Sequence, residues 1–177
     1  MNERQILKRQ RTTQMILQAA KELIHENGFN RLSLRAVAAR SGFSPASLYE
    51  YFTGKDDIID TLCAQIDSQW SAIIKVEDSL VDVTMKYVHF GMSEPDDFQL
   101  LYQRAMLPDQ EEGIPAIFFQ RAVEHSSVLF VTPRLAAQTM WSIGHGLILL
   151  SLHRDISSDD HRLIIETAYQ GLLVRSK

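Results

Sequence analysis

The spacing of apolar residues predicts helices along almost the whole chain. In the first of them, apolar residues recur at intervals of three and four positions and Gly28 follows as a stop, which predicts a helix over roughly residues 4–27. Similar spacing and helix-start signals predict further helices at about 34–41, 45–51, 56–75, 79–91, 95–106, 115–125, 133–153 and 158–174. The stretch SSVLFV is expected to be a loop or extended linker. The fold class is therefore all-α, with about nine helices.

Two short predicted helices near the amino terminus are separated by a tight turn. Ser33 offers a capping oxygen to the first helix, and Gly42 suits a turn that requires a positive φ. Ser44 followed by Pro45 is a typical N-cap with proline at the first helical position. Such a pair is a helix-turn-helix pattern, although short helix pairs also occur as plain packing units.

The second short helix has the chemistry of a helix that enters a DNA groove. Pro45, Ala46 and Ser47 at its leading end are small, so the backbone can come close to bases. Leu48 and Phe52, four positions apart, can anchor the opposite face in a core. The sequence thus favours DNA binding over simple helix packing.

Charge is distributed unevenly along the chain. The formal net charge is −4, but residues 1–55 carry nine Lys or Arg against four Asp or Glu, whereas residues 56–177 carry nine against eighteen. The first part is therefore +5 and the rest −9. A basic front on an acidic body is suited to a protein that meets phosphates at one end only.

The run LSLRAVAARSGFSPASLYEYFTGKDDII resembles the DNA-binding region of the tetracycline-repressor (TetR) family, over about residues 10–69 with a helix-turn-helix core at 33–52. The resemblance implies an N-terminal three-helix DNA-binding domain at 10–69. It also implies a C-terminal helical domain at 70–177 that binds a ligand and forms a homodimer. By position, base edges would be contacted by Arg35, Pro45, Ala46 and Tyr49, and phosphates would be bound at Ser33, Ser44, Ser47, Tyr51 and Lys55.

Some positions in this region leave alternatives open. Tyr49 and Tyr51 could instead pack in the core. Glu50 departs from the family pattern, because a carboxylate beside phosphates is repelled; it is expected to pair with a nearby arginine or lysine rather than accept from a cytosine amine. Four basic residues near the amino terminus could bind phosphates or form a solvated tail; they are Arg4, Lys8, Arg9 and Arg11.

The segment TMWSIGHGLILLSLH resembles a Trp-x-x-x-His-Gly segment found in the C-terminal domain of one TetR subgroup. One stripe of small and apolar residues on it, with a matching stripe on the last helix, suggests a four-helix dimer seam. That seam would comprise Ala137, Met140, Gly144, Leu147, Ser151, Ile164, Ala168, Gly171 and Leu172. A ligand cavity would be lined by Tyr102, Met106, Phe118, Phe119, Trp141 and His145, each of which could instead be simple core.

Other classes of function have little support. The histidines are scattered, Cys63 is the single cysteine, and HExxH and paired-cysteine motifs are missing, so no metal site or cofactor is expected. GxSxG, Walker and GxGxxG motifs are missing as well, which argues against an enzyme. No apolar run reaches membrane-span length and no secretion signal is recognisable, so the expected location is the cytoplasm, without a membrane partner.

The sequence therefore predicts a ligand-responsive transcriptional regulator, expected to act as a repressor. It would bind a pseudo-palindromic double-stranded operator as a homodimer and be released by a small, largely apolar effector molecule. Two alternatives remain: a DNA-bound adaptor that recruits a protein partner without a small-molecule ligand, and an enzyme or carrier that keeps the helix-turn-helix as scaffold. A ligand site inside the C-terminal part distinguishes the first alternative, and DNA binding distinguishes the second.

Overall fold

A computed structural model describes residues 2–28, 31–105 and 115–173 of the chain. These residues form nine helices, which confirms the predicted all-helical fold. In chain order they are α1 (Glu3–Asn27), α2 (Leu34–Ser41), α3 (Pro45–Leu48), α4 (Lys55–Ala72), α5 (Leu80–Ser93), α6 (Pro95–Ala105), α7 (Ala116–Glu124), α8 (Pro133–Ser151) and α9 (Ser158–Gln170). Within the described parts of the chain, no helix combines the length and apolarity needed to cross a membrane.

The chain divides into two compact units, Met1–Ile66 and Asp67–Lys177. The division falls inside α4, whereas the sequence predicts a domain boundary after residue 69. The first unit therefore holds α1, α2, α3 and most of α4. The second holds the end of α4 and all later helices.

Apolar faces of α1, α2 and α3 form the core of the first unit. Ile16 and Ala20 of α1, one helical turn apart, are fully buried, as are Val37 of α2 and Leu48 of α3. The exposed guanidinium of Arg40 pairs with Glu26, with 2.6 Å between Nη2 and Oε2. This pair ties the last turn of α2 to the last turn of α1.

Several helices end earlier than their patterns predict, the third and the last among them. The third helix was expected to reach residue 51, but the Tyr51 amide donates to the Leu48 carbonyl three positions back, which closes a tighter turn after α3. The last helix was expected to reach residue 174 and ends at 170. Beyond it, the Leu172 carbonyl accepts from the Phe130 amide at 2.8 Å, so this end of the chain pairs with the predicted extended linker.

In the second unit, α5 packs against α6, α7, α8 and α9. Glycines permit its closest approaches to α8. A Cβ placed on Gly91 would lie 2.5 Å from Cδ1 of Ile148, and one placed on Gly144 would lie 3.1 Å from Cδ1 of Tyr87. At these two positions α5 and α8 pack too closely for a larger side chain to fit without displacing a neighbour.

Candidate DNA-binding site

The turn between α2 and α3 has the geometry that the sequence predicts. Ser33 caps α2 by accepting from the Ala36 amide at 3.2 Å. Gly42 ends the helix with φ 77°, in the left-handed region that glycine adopts at little cost. Ser44 then caps α3 by accepting from the Ser47 amide at 3.1 Å, and Pro45 occupies the first turn.

The predicted base-reading side chains lie on the surface of the first unit. Arg35, Pro45 and Ala46 are exposed, and Tyr49 has 62% of its surface accessible. The opposite side of the same segment is held in the core by Leu48. The face that carries the small residues is therefore free to approach a DNA groove, and Tyr49 does not pack in the core.

The predicted phosphate-binding hydroxyls keep protons to donate. The Ser33 oxygen accepts from an amide, so its own O–H remains available. The Ser44 and Ser47 hydroxyls lie 2.8 Å apart, and one of them donates to the other, which leaves one O–H between them. Lys55, at the start of α4, is exposed. These groups can hold DNA backbone oxygens without reading sequence.

Arg9 of α1 contacts the segment that follows α3. Its Nη2 donates to the Glu50 carbonyl at 2.9 Å, and its guanidinium carbon lies 4.9 Å from the centre of the Tyr51 ring. Tyr51 is consequently half-buried. Sequence reasoning missed this positioning role, because Arg9 and Glu50 are 41 residues apart and only the general basic character of the region was visible.

The expected side-chain pairing of Glu50 is not observed. Within the described residues its carboxylate has no basic partner, and the arginine that approaches contacts its main-chain carbonyl instead.

The basic residues near the amino terminus lie on a helix and do not form a solvated tail. Asn2 and Gln5 form a reciprocal capping box that starts α1 at Glu3, so Arg4, Lys8 and Arg11 lie along one face of an ordered helix.

In the second unit, the predicted pair Trp141 and His145 belongs to an aromatic cluster. His145 is buried, with 9% of the residue exposed. The centre of its ring lies 4.4 Å from that of Tyr102, 4.8 Å from Phe98 and 5.5 Å from Trp141. Trp141 Nε1 donates to the Tyr87 hydroxyl at 3.1 Å, and that hydroxyl lies 3.3 Å from His145 Nδ1. Tyr87 and Phe98 belong to the cluster although the sequence did not suggest them. Helical spacing indicates that they are buried, but it does not show that they lie next to His145.

Of the other predicted ligand residues, Phe118 reaches this cluster through Tyr87. Phe118 is fully buried and its ring packs against Trp70 and Tyr87, so it serves as core. Phe119 is 40% exposed. Met106 lies outside the described residues. Among the residues that the structure describes, no three His, Cys, Asp or Glu are grouped to hold a metal ion.

The predicted dimer stripe on α8 requires a correction. Ala137 and Met140 are fully buried within the single chain, Leu147 is 4% exposed, and Gly144 is closed off by Tyr87 and Thr84 of α5. Because these residues already pack inside one subunit, they have no surface to offer a partner.

The remaining predicted dimer residues are divided between the interior and the surface. The Ser151 hydroxyl is 2.7 Å from His161 Nε2, so it links α8 to α9 within the subunit. Leu172 is also buried, at 7% exposure. On α9, by contrast, Ile164 is 43% exposed and Ala168 is half-buried. Gly171, directly after α9, is exposed.

Comparison with known proteins identifies the first unit. Residues 16–62 match the family model described as bacterial regulatory proteins, tetR family. The HTH-type transcriptional regulator UidR of Escherichia coli strain K12 is 38% identical over 56 residues, which are 32% of this chain and 29% of UidR. The match therefore spans less than a third of that relative's length.

Solved structures share the fold along nearly the whole chain. NalD of Pseudomonas aeruginosa, the secondary repressor of the MexAB-OprM multidrug efflux pump, is 22% identical with a TM-score of 0.70, covering 93% of this chain and 97% of NalD. A TetR family regulator from Marinobacter aquaeolei VT8 is 18% identical with a TM-score of 0.70, covering 97% of this chain and all of that one, at 100%. The Flavonoid-responsive Regulator FrrA is 21% identical with a TM-score of 0.69, covering 91% and 94%.

These likenesses establish the fold, and membership of the Trp-x-x-x-His-Gly subgroup stays a prediction. The family match coincides with the capped, glycine-turned helix pair whose small-residue face is exposed. Residues 16–62 therefore match the TetR family of bacterial regulatory proteins, and the chain as a whole shares the fold of a solved TetR family regulator.

Proposed function

We propose that the protein is a transcriptional repressor that binds a pseudo-palindromic operator as a homodimer and is released by a small, largely apolar effector. The observation that carries the proposal is the exposed face of the α2–α3 pair. Arg35 and Tyr49 are accessible there beside the small residues Pro45 and Ala46. Arginine commonly donates to the O6 and N7 atoms of guanine, and we assign Arg35 that role.

The binding test uses purified full-length protein and labelled genomic fragments from around its own gene, at one fixed salt concentration. Arg35→Ala should weaken binding to the preferred fragment by about 10- to 100-fold while changing random-sequence binding little, because a base contact of about 1–3 kcal/mol is lost. Arg154→Ala, which removes an equal charge from an exposed residue of the second unit, is the control. Wild-type affinity no better for any fragment than for random DNA would refute the proposal.

A second copy of the chain is the proposed partner of the exposed apolar face of α8 and α9. On α8 this face carries Leu135, 49% exposed, and Leu149, 47% exposed; on α9 it carries Leu163, 64% exposed. Between the two leucines of α8 lies Gly146, where an added Cβ would meet no atom within 4 Å in the single chain. A two-fold axis along such a face would pair each α8 and α9 with its copy. A dimer that reads two successive major grooves needs its reading helices about 34–36 Å apart, one DNA turn.

Leu163→Lys tests this face. Each substitution enters a two-fold interface twice, so a cost of about 2 kcal/mol per copy should weaken the dimer at least about 100-fold, as measured by sedimentation or light scattering. Val123→Lys is a matched control, because Val123 is also exposed, at 45%, but lies on α7. Equal dimer affinity in the two variants would contradict the assignment of the α8–α9 face.

The proposed effector acts through α4, which belongs to both units. Within the second unit, the α4 residue Trp70 packs edge-on against Tyr87, with 5.7 Å between ring centres, and Tyr87 in turn contacts Trp141 and His145. A ligand that displaces Tyr87 would therefore bias the position of α4. A tenfold preference for the released form supplies about 1.4 kcal/mol, so strong induction requires a preference of several orders of magnitude.

The same aromatic cluster supports a small-molecule effector over the adaptor alternative. An adaptor needs only an outer surface. Here an imidazole nitrogen of His145 is buried inside the unit and has no hydrogen-bond partner among the residues that the structure describes. Buried polar groups are normally paired, so an unpaired one beside accessible aromatic rings is better explained by a ligand.

A further inference from the structure

The hydrogen bonds around Tyr87 determine which atom of His145 carries a proton. Trp141 Nε1 can only donate, so the Tyr87 oxygen accepts from it at 3.1 Å. Burial raises the pKa of Tyr87, so the phenol keeps its proton at neutral pH. That proton has one acceptor within reach among the described residues, His145 Nδ1 at 3.3 Å.

A neutral His145 must then carry its own proton on Nε2. Burial lowers the pKa of His145, so the ring is neutral near pH 7. The opposite assignment, with the proton on Nδ1 and donated to Tyr87, would leave both the Tyr87 O–H and His145 Nε2 without partners. The assignment with Nε2–H leaves a single unpaired group, and buried unpaired groups are costly.

That one group is a buried donor in an aromatic setting. His145 Nε2 has no hydrogen-bond partner within residues 2–28, 31–105 and 115–173, and the residue is 9% exposed. The rings of Phe98 and Tyr102 lie within 4.8 Å of the imidazole centre. Tyr102 is 37% exposed and Trp141 is half-buried, so the cluster has an accessible side.

We infer that the Nε2–H of His145 anchors the effector, and that the effector is a flat, largely apolar molecule carrying a hydrogen-bond acceptor, of the class of aromatic ketones. The flat ring system is matched by Tyr102 and Trp141, and the carbonyl oxygen receives the proton that no described residue accepts. This inference rests on the proposed function in that it assigns the chemistry of the same effector site. It adds which atom recognises the ligand and what that ligand must offer.

The test compares two probes of equal shape, 2-acetylnaphthalene and 2-isopropenylnaphthalene, which differ in having a carbonyl oxygen or a methylene group. Full-length protein without DNA is titrated by calorimetry, with tryptophan fluorescence as a second readout. The ketone should bind wild type about tenfold more tightly, the effect of one net hydrogen bond to a previously unpaired donor. His145→Phe keeps an aromatic ring against Phe98 and Tyr102, and it should bind both probes equally.

A measurement on the wild-type protein tests the inference even if His145→Phe folds poorly. Nitrogen-15 spectra of histidine-labelled wild type should show the proton of His145 on Nε2, and that resonance should shift when 2-acetylnaphthalene is added. Equal affinity of wild type for the two probes, no binding of the ketone, or a proton on Nδ1 would each overturn the inference.

These outcomes are separable from those of the proposed function. If the ketone is preferred but leaves operator binding unchanged, His145 Nε2–H recognises an acceptor as inferred, and effector control through this site fails. If operator binding is released by a compound that lacks an acceptor, the repressor proposal stands and the inference fails.

Discussion

Replacing Arg9 with alanine should loosen the end of the DNA-reading segment without touching a DNA-reading residue. In the structure, Arg9 donates to the Glu50 carbonyl at 2.9 Å and covers the Tyr51 ring at 4.9 Å. An exposed hydrogen bond contributes about 0.5–1.5 kcal/mol, and an exposed cation–π contact about 0.5–1 kcal/mol. The variant should therefore destabilise this segment locally by about 1–2 kcal/mol.

Hydrogen exchange measures the effect where it occurs. A local loss of that size should speed exchange of the amides of residues 48–52 by about 5- to 30-fold, since a factor of ten corresponds to about 1.4 kcal/mol. Arg4→Ala is the matched control, because Arg4 is also an exposed base on α1 and makes no such contact among the described residues. Equal exchange rates at residues 48–52 in the two variants would refute the positioning role of Arg9.

Two further predictions concern the second unit. Gly91→Ala should destabilise it by about 1–3 kcal/mol, offset in part by better helix propensity, because the new methyl would lie 2.5 Å from Cδ1 of the buried Ile148. Ile148→Val removes that atom, so urea denaturation should show the double variant to be more stable than the two single effects predict; simple additivity would contradict this. Because burial lowers the pKa of His145 below its usual 6.5, the unfolded chain binds this proton more readily, and stability that is intact above about pH 6.5 should decline as the pH falls from there toward the lowered value. The free energy of unfolding of wild type minus that of His145→Phe should therefore fall from pH 7.5 to 5.5. A difference that stays constant over this range would exclude the contribution.

The helices and the DNA-facing turn could be predicted from the sequence because their causes are local. Capping by Ser33 and Ser44 and the positive φ of Gly42 depend on residues within a few positions of one another. The outward face of α3 was likewise predictable. The apolar side chain of Leu48 is expected in the core, and burying it turns the small residues on the other side of the helix toward solvent. All of these features lie within the stretch that matches the family.

The C-terminal half depended on contacts between distant residues. Two stripes of α8 are apolar enough to be buried, and the sequence could not tell which one faces the subunit core. Tertiary packing placed Ala137 and Met140 against the interior and left Leu135 and Leu149 exposed. The choice follows from the complementary surface of α5, which no local pattern in α8 encodes.

The polar contacts that matter most for the proposed chemistry are also long-range. Tyr87 and His145 are 58 residues apart, and Arg9 and Glu50 are 41 apart. Helical periodicity indicates that such residues are buried or exposed, but it says nothing about which partner they meet. The sequence by itself thus determined the helices and the exposed reading face, whereas only the packing of helices decided the interior of the second unit, because a hydrogen bond depends on distances between atoms that the chain brings together only when folded.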